Sequence, residues 1–276
     1  MTGRHPTPAR TPAPPDWRAR LDSPADREIG KRFESERLAD SYSDIYDEQT
    51  PVGELLRARR RLVLELLAGT SGGTLLNAGC GAGQMSRFLL ERRPGDFSIT
   101  ALDRSQMMID AARSVIGDDA GVRFVVGRIE LMPFDDASFD VALALGVLEY
   151  VVDVRAAVED LARVVKPGGL VVVSMQNRFG PFRLWERTVF PRLARLRGSA
   201  YEVEERPVDE RPLRRILEGA GLVPVDAVYY NFNLFLKPLD YWFPERSMQV
   251  ARRLAPLGRS PMRRLAADLL IAARRT

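Results

Sequence analysis

A doubly wound α/β domain is predicted for this chain of 276 residues, on three observations. Short apolar runs alternate with helical stretches of about ten to fifteen residues. A glycine-rich turn separates the first run from the helix after it, and the second run ends in a carboxylate. Alternation of this kind builds βαβ units, whose right-handed crossovers lay down a parallel sheet with helices on both faces.

In chain order, residues 1–17 are expected to be a disordered Pro-rich tail. MTGRHPTPARTPAPPD holds five prolines, almost nothing to bury, and the chain's one histidine, His5. Residues 18–70 are expected to form a helical lid: mixed charges from Arg18 to about Leu38, then an amphipathic helix from Gly53 to Leu67. Glycines between 69 and 73 break it. Residues 71–276 then form the main domain. Its strand candidates are 74–78, 97–103, 122–126, 139–145 and 169–175, with helix candidates at 83–92, 105–116 and 153–165 between them. Beyond a basic, aromatic insertion at about 178–208 come a helix at 210–219 and a strand from Leu222 to Tyr230. A second insertion at about 231–266 precedes a closing strand, DLLIAARR, at 268–275.

Composition excludes several classes. One cysteine, Cys80, and one histidine cannot make a disulfide framework or a zinc site. No stretch of roughly 18 apolar residues suggests a membrane span, and no short apolar core behind a basic start suggests a secretory signal. A soluble cytoplasmic protein without a metal is the expectation. Net charge is +4, but it is unevenly placed: residues 178–200 hold six Arg and one Glu, and 245–276 hold eight Arg against Glu245 and Asp268. Those two segments carry +11 and the remainder −7. A basic face on an acidic body suits either plain solvation or an anionic membrane, substrate or nucleic acid.

The chemistry lies at the end of the first strand, in Asn77-Ala78-Gly79-Cys80-Gly81-Ala82-Gly83. Alternate glycines let a backbone turn sharply and approach a ligand with no side chain between. Twenty residues beyond Gly83, Asp103 ends the second strand, placed to accept hydrogen bonds from two ribose hydroxyls. The third glycine of a dinucleotide fingerprint is missing in both registers, where Gln84 and Ser86 stand, and no tyrosine lies four residues before any lysine. A nucleoside other than a nicotinamide dinucleotide is therefore expected.

These residues resemble the class I S-adenosylmethionine-dependent methyltransferases, and among them the small-molecule group called type 11. The likeness runs from about Tyr46 to Met175. It is carried by NAGCGAG, ALDRS, LMPFDDASFDVALALGVLEYV and LARVVKPGGLVVVS, in that order. The resemblance implies a Rossmann-like, mostly parallel seven-stranded sheet with helical and aromatic cap insertions. It implies S-adenosyl-L-methionine as cofactor. Gly79, Gly81 and Gly83 would line its amino-acid part, Asp103 would hold the ribose, and Arg104 and Met108 would border the adenine. Ile129 would receive the adenine edge, Leu145 and Gly146 would lie under the methionine portion, and Tyr46 is either an aromatic closing over the cofactor or a surface tyrosine.

Three positions depart from the family pattern. Asn77 stands where an acid usually helps hold the ammonium group; asparagine keeps an acceptor but loses the charge. Arg128 replaces the acid that accepts from the adenine amine, so either Glu130 substitutes or Arg128 stacks on the ring. Tyr150 replaces a frequent histidine. With no histidine outside the tail, either the acceptor ionises easily or Glu149 or Tyr150 takes its proton.

The implied acceptor is a small, hydrophobic organic molecule methylated at oxygen or nitrogen rather than carbon. The aromatics of the insertions either build its pocket or simply pack a cap subdomain: Phe179, Phe182, Trp185 and Phe190, then Tyr229, Tyr230, Phe232, Phe235, Tyr241, Trp242 and Phe243. Peripheral contact with an anionic membrane is a further expectation. Nucleic acid is disfavoured, because Leu145-Gly146-Val147-Leu148 follows the fourth strand in place of an Asn-Pro-Pro-Tyr type signature. The departures leave one rival reading, a non-catalytic protein that binds the cofactor or a partner. Oligomeric state is not legible.

Overall fold

In the computed structural model of the chain the described residues are 27, 49–117, 122–196 and 210–276. The Pro-rich tail, most of the mixed-charge segment and Tyr46 lie outside them. The first full element is helix α1, Pro51–Leu66. It starts two residues before the sequence-based expectation because the Thr50 hydroxyl accepts from Gly53 N at 3.1 Å and Pro51 needs no amide partner. There follow β1 (Gly73–Ala78), α2 (Gln84–Arg92), β2 (Phe97–Asp103), α3 (Gln106–Ile116), β3 (Val122–Val126) and β4 (Phe139–Ala144). A 3-10 turn at Leu148–Tyr150 leads into α4 (Val154–Val164) and β5 (Val165–Gln176). The first insertion contributes α5 (Pro181–Thr188) and α6 (Phe190–Leu196), and α7 (Glu210–Gly219) leads to β6 (Leu222–Tyr230). The second insertion holds α8 (Leu239–Trp242), α9 (Pro244–Leu254) and two 3-10 turns before β7 (Asp268–Arg275).

The seven strands form one sheet in the order β3-β2-β1-β4-β5-β7-β6. All neighbours are parallel except that β7 runs antiparallel to β5 and β6. Burial on both faces explains the unbroken apolar runs. Leu76, Ala142, Val171 and Ile271 face one core layer, while the residues one step back, Leu75, Val141, Leu170 and Leu270, face the other. The expected fifth strand begins earlier than Gly169. Val165 already pairs with Phe139, and the next partner of β4 is Leu170, so Lys166 to Gly169 bulge out of the ladder.

Two devices order the face at the carboxyl ends of the strands. Ser105 caps α3 by accepting from Met108 N, and the Asp153 carboxylate caps α4. Helix α1 is clamped to the second insertion through buried Glu54, which meets Arg61 at 3.0 Å and Arg252 of α9 at 2.7 Å. Burial pushes the Glu54 carboxyl up, but the bonds and charges of Arg252 and Arg61 outweigh it and leave it below the ordinary value. Among the described residues no helix is long and apolar enough to cross a membrane.

Candidate active site

The carboxyl ends of β1, β2 and β4 open into a cavity of about 410 Å³ roofed by α1. Gly79 N and Cys80 N both donate to Leu102 O, at 2.7 and 2.9 Å, folding the glycine turn back onto β2. Gly79 has φ +75°, and a Cβ there would lie 2.6 Å from Val147 Cγ2, so only glycine fits. Around Gly81 a Cβ would meet nothing within 4 Å: the inside of the turn is bare backbone facing the cavity. Gly81 N donates to Asp103 Oδ2 at 2.9 Å and Ser105 N to Oδ1 at 3.0 Å. Burial pushes the Asp103 carboxyl up, opposed by those amides and the Arg104 charge.

The structure brings most of the sequence-predicted residues to this cavity. Gly79, Gly81, Asp103, Arg104 and Met108 line one side, and Arg128, Ile129 and Glu130 line the next. Leu145, Gly146, Glu149 and Tyr150 complete that wall. Gly146 is held by its amide, which donates to Ser174 Oγ at 2.7 Å. Arg128 reaches Glu130 Oε1 at 3.5 Å, and the same oxygen accepts from Val152 N.

Two residues depart from expectation. Asn77 is absent from the lining. The strand pleat turns its side chain toward α2, where Nδ2 donates to Ser86 Oγ at 3.0 Å, so it fastens strand to helix in the interior. Gly83 is absent as well. A Cβ there would lie 3.0 Å from Ala112 Cβ and Ile116 Cδ1, which makes it the contact that lets α2 approach α3. Gly83 also has φ +80°, so Gly83→Ala is expected to destabilise the fold by roughly 2–5 kcal/mol through backbone strain and overpacking together while changing cofactor affinity little; a thermal melt and a titration of the same variant check both halves.

The aromatic acceptor pocket is also corrected. Of the eleven insertion aromatics named above, Tyr230 alone lines the cavity. Period-two alternation along β6 sends Tyr229 to the other core layer, Phe182 and Phe232 are interior, and Phe179, Tyr241, Trp242 and Phe243 point to solvent.

The far end of the cavity is polar instead. Arg59 from α1, Gln176 from β5, Arg183 from α5 and Asp268 from β7 line it with Tyr230. Arg183 is held by Asp268 at 3.0 Å and Glu186 at 2.8 Å, and Asn231 Nδ2 donates to the second Asp268 oxygen at 2.6 Å. Burial, with the nearby Asp268 and Glu149 charges, pushes the Tyr230 hydroxyl well up despite Arg59, so it stays a neutral donor. Burial likewise pushes the Cys80 thiol up, away from nucleophilic chemistry. Sequence reading missed Arg59, Gln176, Arg183 and Asp268. Two left a trace: Arg59 stands on the apolar stripe of α1 between Leu56 and Val63, and Asp268 opens an otherwise apolar strand.

Residues 76–173 match a family described as a methyltransferase domain. The chain is 36% identical over 138 residues to a malonyl-[acyl-carrier protein] O-methyltransferase of Serratia marcescens, covering 50% of this chain and 49% of that protein. It is 37% identical over 151 residues to a demethylmenaquinone methyltransferase of Tropheryma whipplei, covering 52% and 62%. The chain thus spans about half to three fifths of the length of these curated relatives. The fold is shared with geranyl diphosphate C-methyltransferase from Streptomyces coelicolor A3(2), at TM-score 0.58 and 19% identity over 92% of this chain and 99% of that one. Strand order, the glycine turn backed by Asp103, and the matched span together give residues 76–173 the character of the methyltransferase domain that this family describes.

Proposed function

We propose that the chain transfers a methyl group from S-adenosyl-L-methionine to a small organic acceptor with an apolar body, at oxygen or nitrogen. One observation carries this reading: the nucleoside-type cradle and the polar far end of Arg59, Gln176, Arg183 and Tyr230 share a single cavity. That cavity falls within the roughly 300–1,000 Å³ usual for small-molecule sites. The name of one curated relative, demethylmenaquinone methyltransferase, fits an acceptor with an apolar body, and that of the other, malonyl-[acyl-carrier protein] O-methyltransferase, fits transfer to oxygen.

The residues fit the cofactor. Open backbone at Gly81 admits its amino-acid part, and Asp103, whose oxygens already accept from the turn, would hold the ribose. Met108 and Ile129 would border the base. The bound cofactor supplies a methyl on a positively charged sulfur, already activated for displacement. The protein's part is to align the acceptor and exclude water, effects worth up to about 7–11 kcal/mol. Helix α1 acts as the lid, with Val52, Leu55 and Leu56 as its apolar underside. Arg183 and Tyr230 orient the polar head of the acceptor by donating to it. Glu149, buried on the cavity wall, takes the acceptor's proton, and Tyr150 beside it shapes the approach.

Release of S-adenosylhomocysteine against a panel of carboxylate, phenol and amine acceptors, with calorimetry of the cofactor alone, tests this. Glu149→Gln is expected to lower kcat by about 10²- to 10⁴-fold with cofactor affinity unchanged, and Tyr150→Phe to lower it less. Full turnover in both variants would remove the base assignment. Cofactor binding with no turnover on any acceptor would return the non-catalytic reading.

A further inference from the structure

Nine of the fifteen large hydrophobic side chains exposed among the described residues fall in residues 179–196 and 234–243. They include Phe179, Leu184 and Leu196, and a tip of three consecutive aromatics, Tyr241, Trp242 and Phe243, at 76%, 62% and 46% exposure. The two stretches are one structural unit. Trp185 Nε1 of α5 donates to Lys237 O at 3.0 Å, and Lys237 Nζ pairs with Glu186 of α5. Soluble surfaces scatter such side chains singly; a concentration on one cap marks a docking face.

Charge identifies what docks. Residues 178–196 carry five arginines against Glu186. Arg178, Arg192 and Arg195 are exposed beside the apolar residues, and Arg246 lies over the Phe243 ring. Exposed tryptophan and tyrosine with an apolar body and a polar tip, among arginines, match the boundary between acyl chains and anionic headgroups. An acidic protein would use the arginines but would leave the aromatic tip without a matching hydrocarbon layer.

We propose that this cap docks the protein on an anionic lipid surface, with Tyr241, Trp242 and Phe243 inserted among the headgroups and Arg178, Arg192 and Arg195 on the phosphates. The inference does not rest on methyl transfer, but it has a consequence for the cavity. Helix α5 also supplies Arg183 to the cavity's far end, so the docked face adjoins the proposed acceptor site. An apolar acceptor dissolved in the bilayer then reaches the site without crossing water.

The test is co-sedimentation of the full chain with vesicles of phosphatidylglycerol or of phosphatidylcholine, at low and high salt. Binding at least tenfold stronger to the anionic vesicles, weakening as salt rises, is expected. The triple variant Tyr241→Ser, Trp242→Ser, Phe243→Ser and the double variant Arg192→Glu, Arg195→Glu should each lose that binding about tenfold or more. Because the altered side chains are exposed, both variants should keep the wild-type circular dichroism and cofactor affinity. Equal binding to both vesicle types, no binding at low salt, or full binding by folded variants would overturn the proposal. So would a dimer in sedimentation that the triple variant abolishes without any vesicle binding, since a second copy would then occupy the face.

Discussion

Asp103→Ala is expected to abolish useful cofactor binding while leaving the protein folded. Hydrogen bonds to a charged group contribute roughly 1.5–3 kcal/mol each, so losing two to the ribose weakens affinity by about 100-fold or more. Two further effects of the substitution oppose one another in the free protein. The Gly81 and Ser105 amides lose their acceptor, but a carboxylate whose burial penalises its charge is removed. The melting temperature should therefore move by only a few degrees. Acid has a related effect in the wild type. In the proposed role the ionised carboxylate is the form that would accept from both hydroxyls, so affinity should be full above the folded-state pKa and fall as pH drops through it. Since burial raises that value above the ordinary 3.8, the fall should begin at higher pH than an ordinary aspartate would give. Isothermal titration between neutral and mildly acidic pH, on wild type and variant, reads both effects. A variant that binds the cofactor like wild type would remove Asp103 from the site.

Gly79→Ala is expected to cost both fold and ligand. At φ +75° an alanine is strained by about 1–2 kcal/mol, and its Cβ would stand 2.6 Å from Val147 Cγ2. Overpacking of this kind adds roughly 1–3 kcal/mol. The strain is relieved by displacing the turn, which separates Gly81 N from Asp103, so cofactor affinity should fall at least tenfold alongside stability. Val147→Ala combined with Gly79→Ala separates the two causes: the clash disappears and only the backbone strain remains. Partial recovery of both melting temperature and affinity in the double variant is the expected result. No recovery would show that Val147 is not the obstacle.

Much of the glycine-turn side of the cavity was legible in the sequence. Strand, glycine turn, helix and terminal Asp103 lie within about thirty consecutive residues, and their geometry follows from local rules: alternation sets the strands, and alternate glycines set the turn. The two residues of that stretch that stay out of the cavity lining, Asn77 and Gly83, differ in direction. A side chain one step along a pleat, or a glycine one step around a turn, faces a helix instead of the cavity. That choice depends on which helix packs behind it, which spacing alone does not encode.

The acceptor half was not legible in the same way. Arg59, Arg183 and Asp268 come from α1, α5 and β7, more than 200 residues apart at the extremes, and meet because β7 inserts antiparallel between β5 and β6. Aromatic-rich insertions therefore read as a pocket, although the fold turns most of those rings into the core or out to solvent. The amino-acid order by itself determined the layered sheet, the glycine turn and Asp103, since each depends on contacts between near neighbours. Only the tertiary structure decided which charges close the far end of the cavity and which aromatics face outward, because those outcomes are set by the packing of segments that share no local pattern.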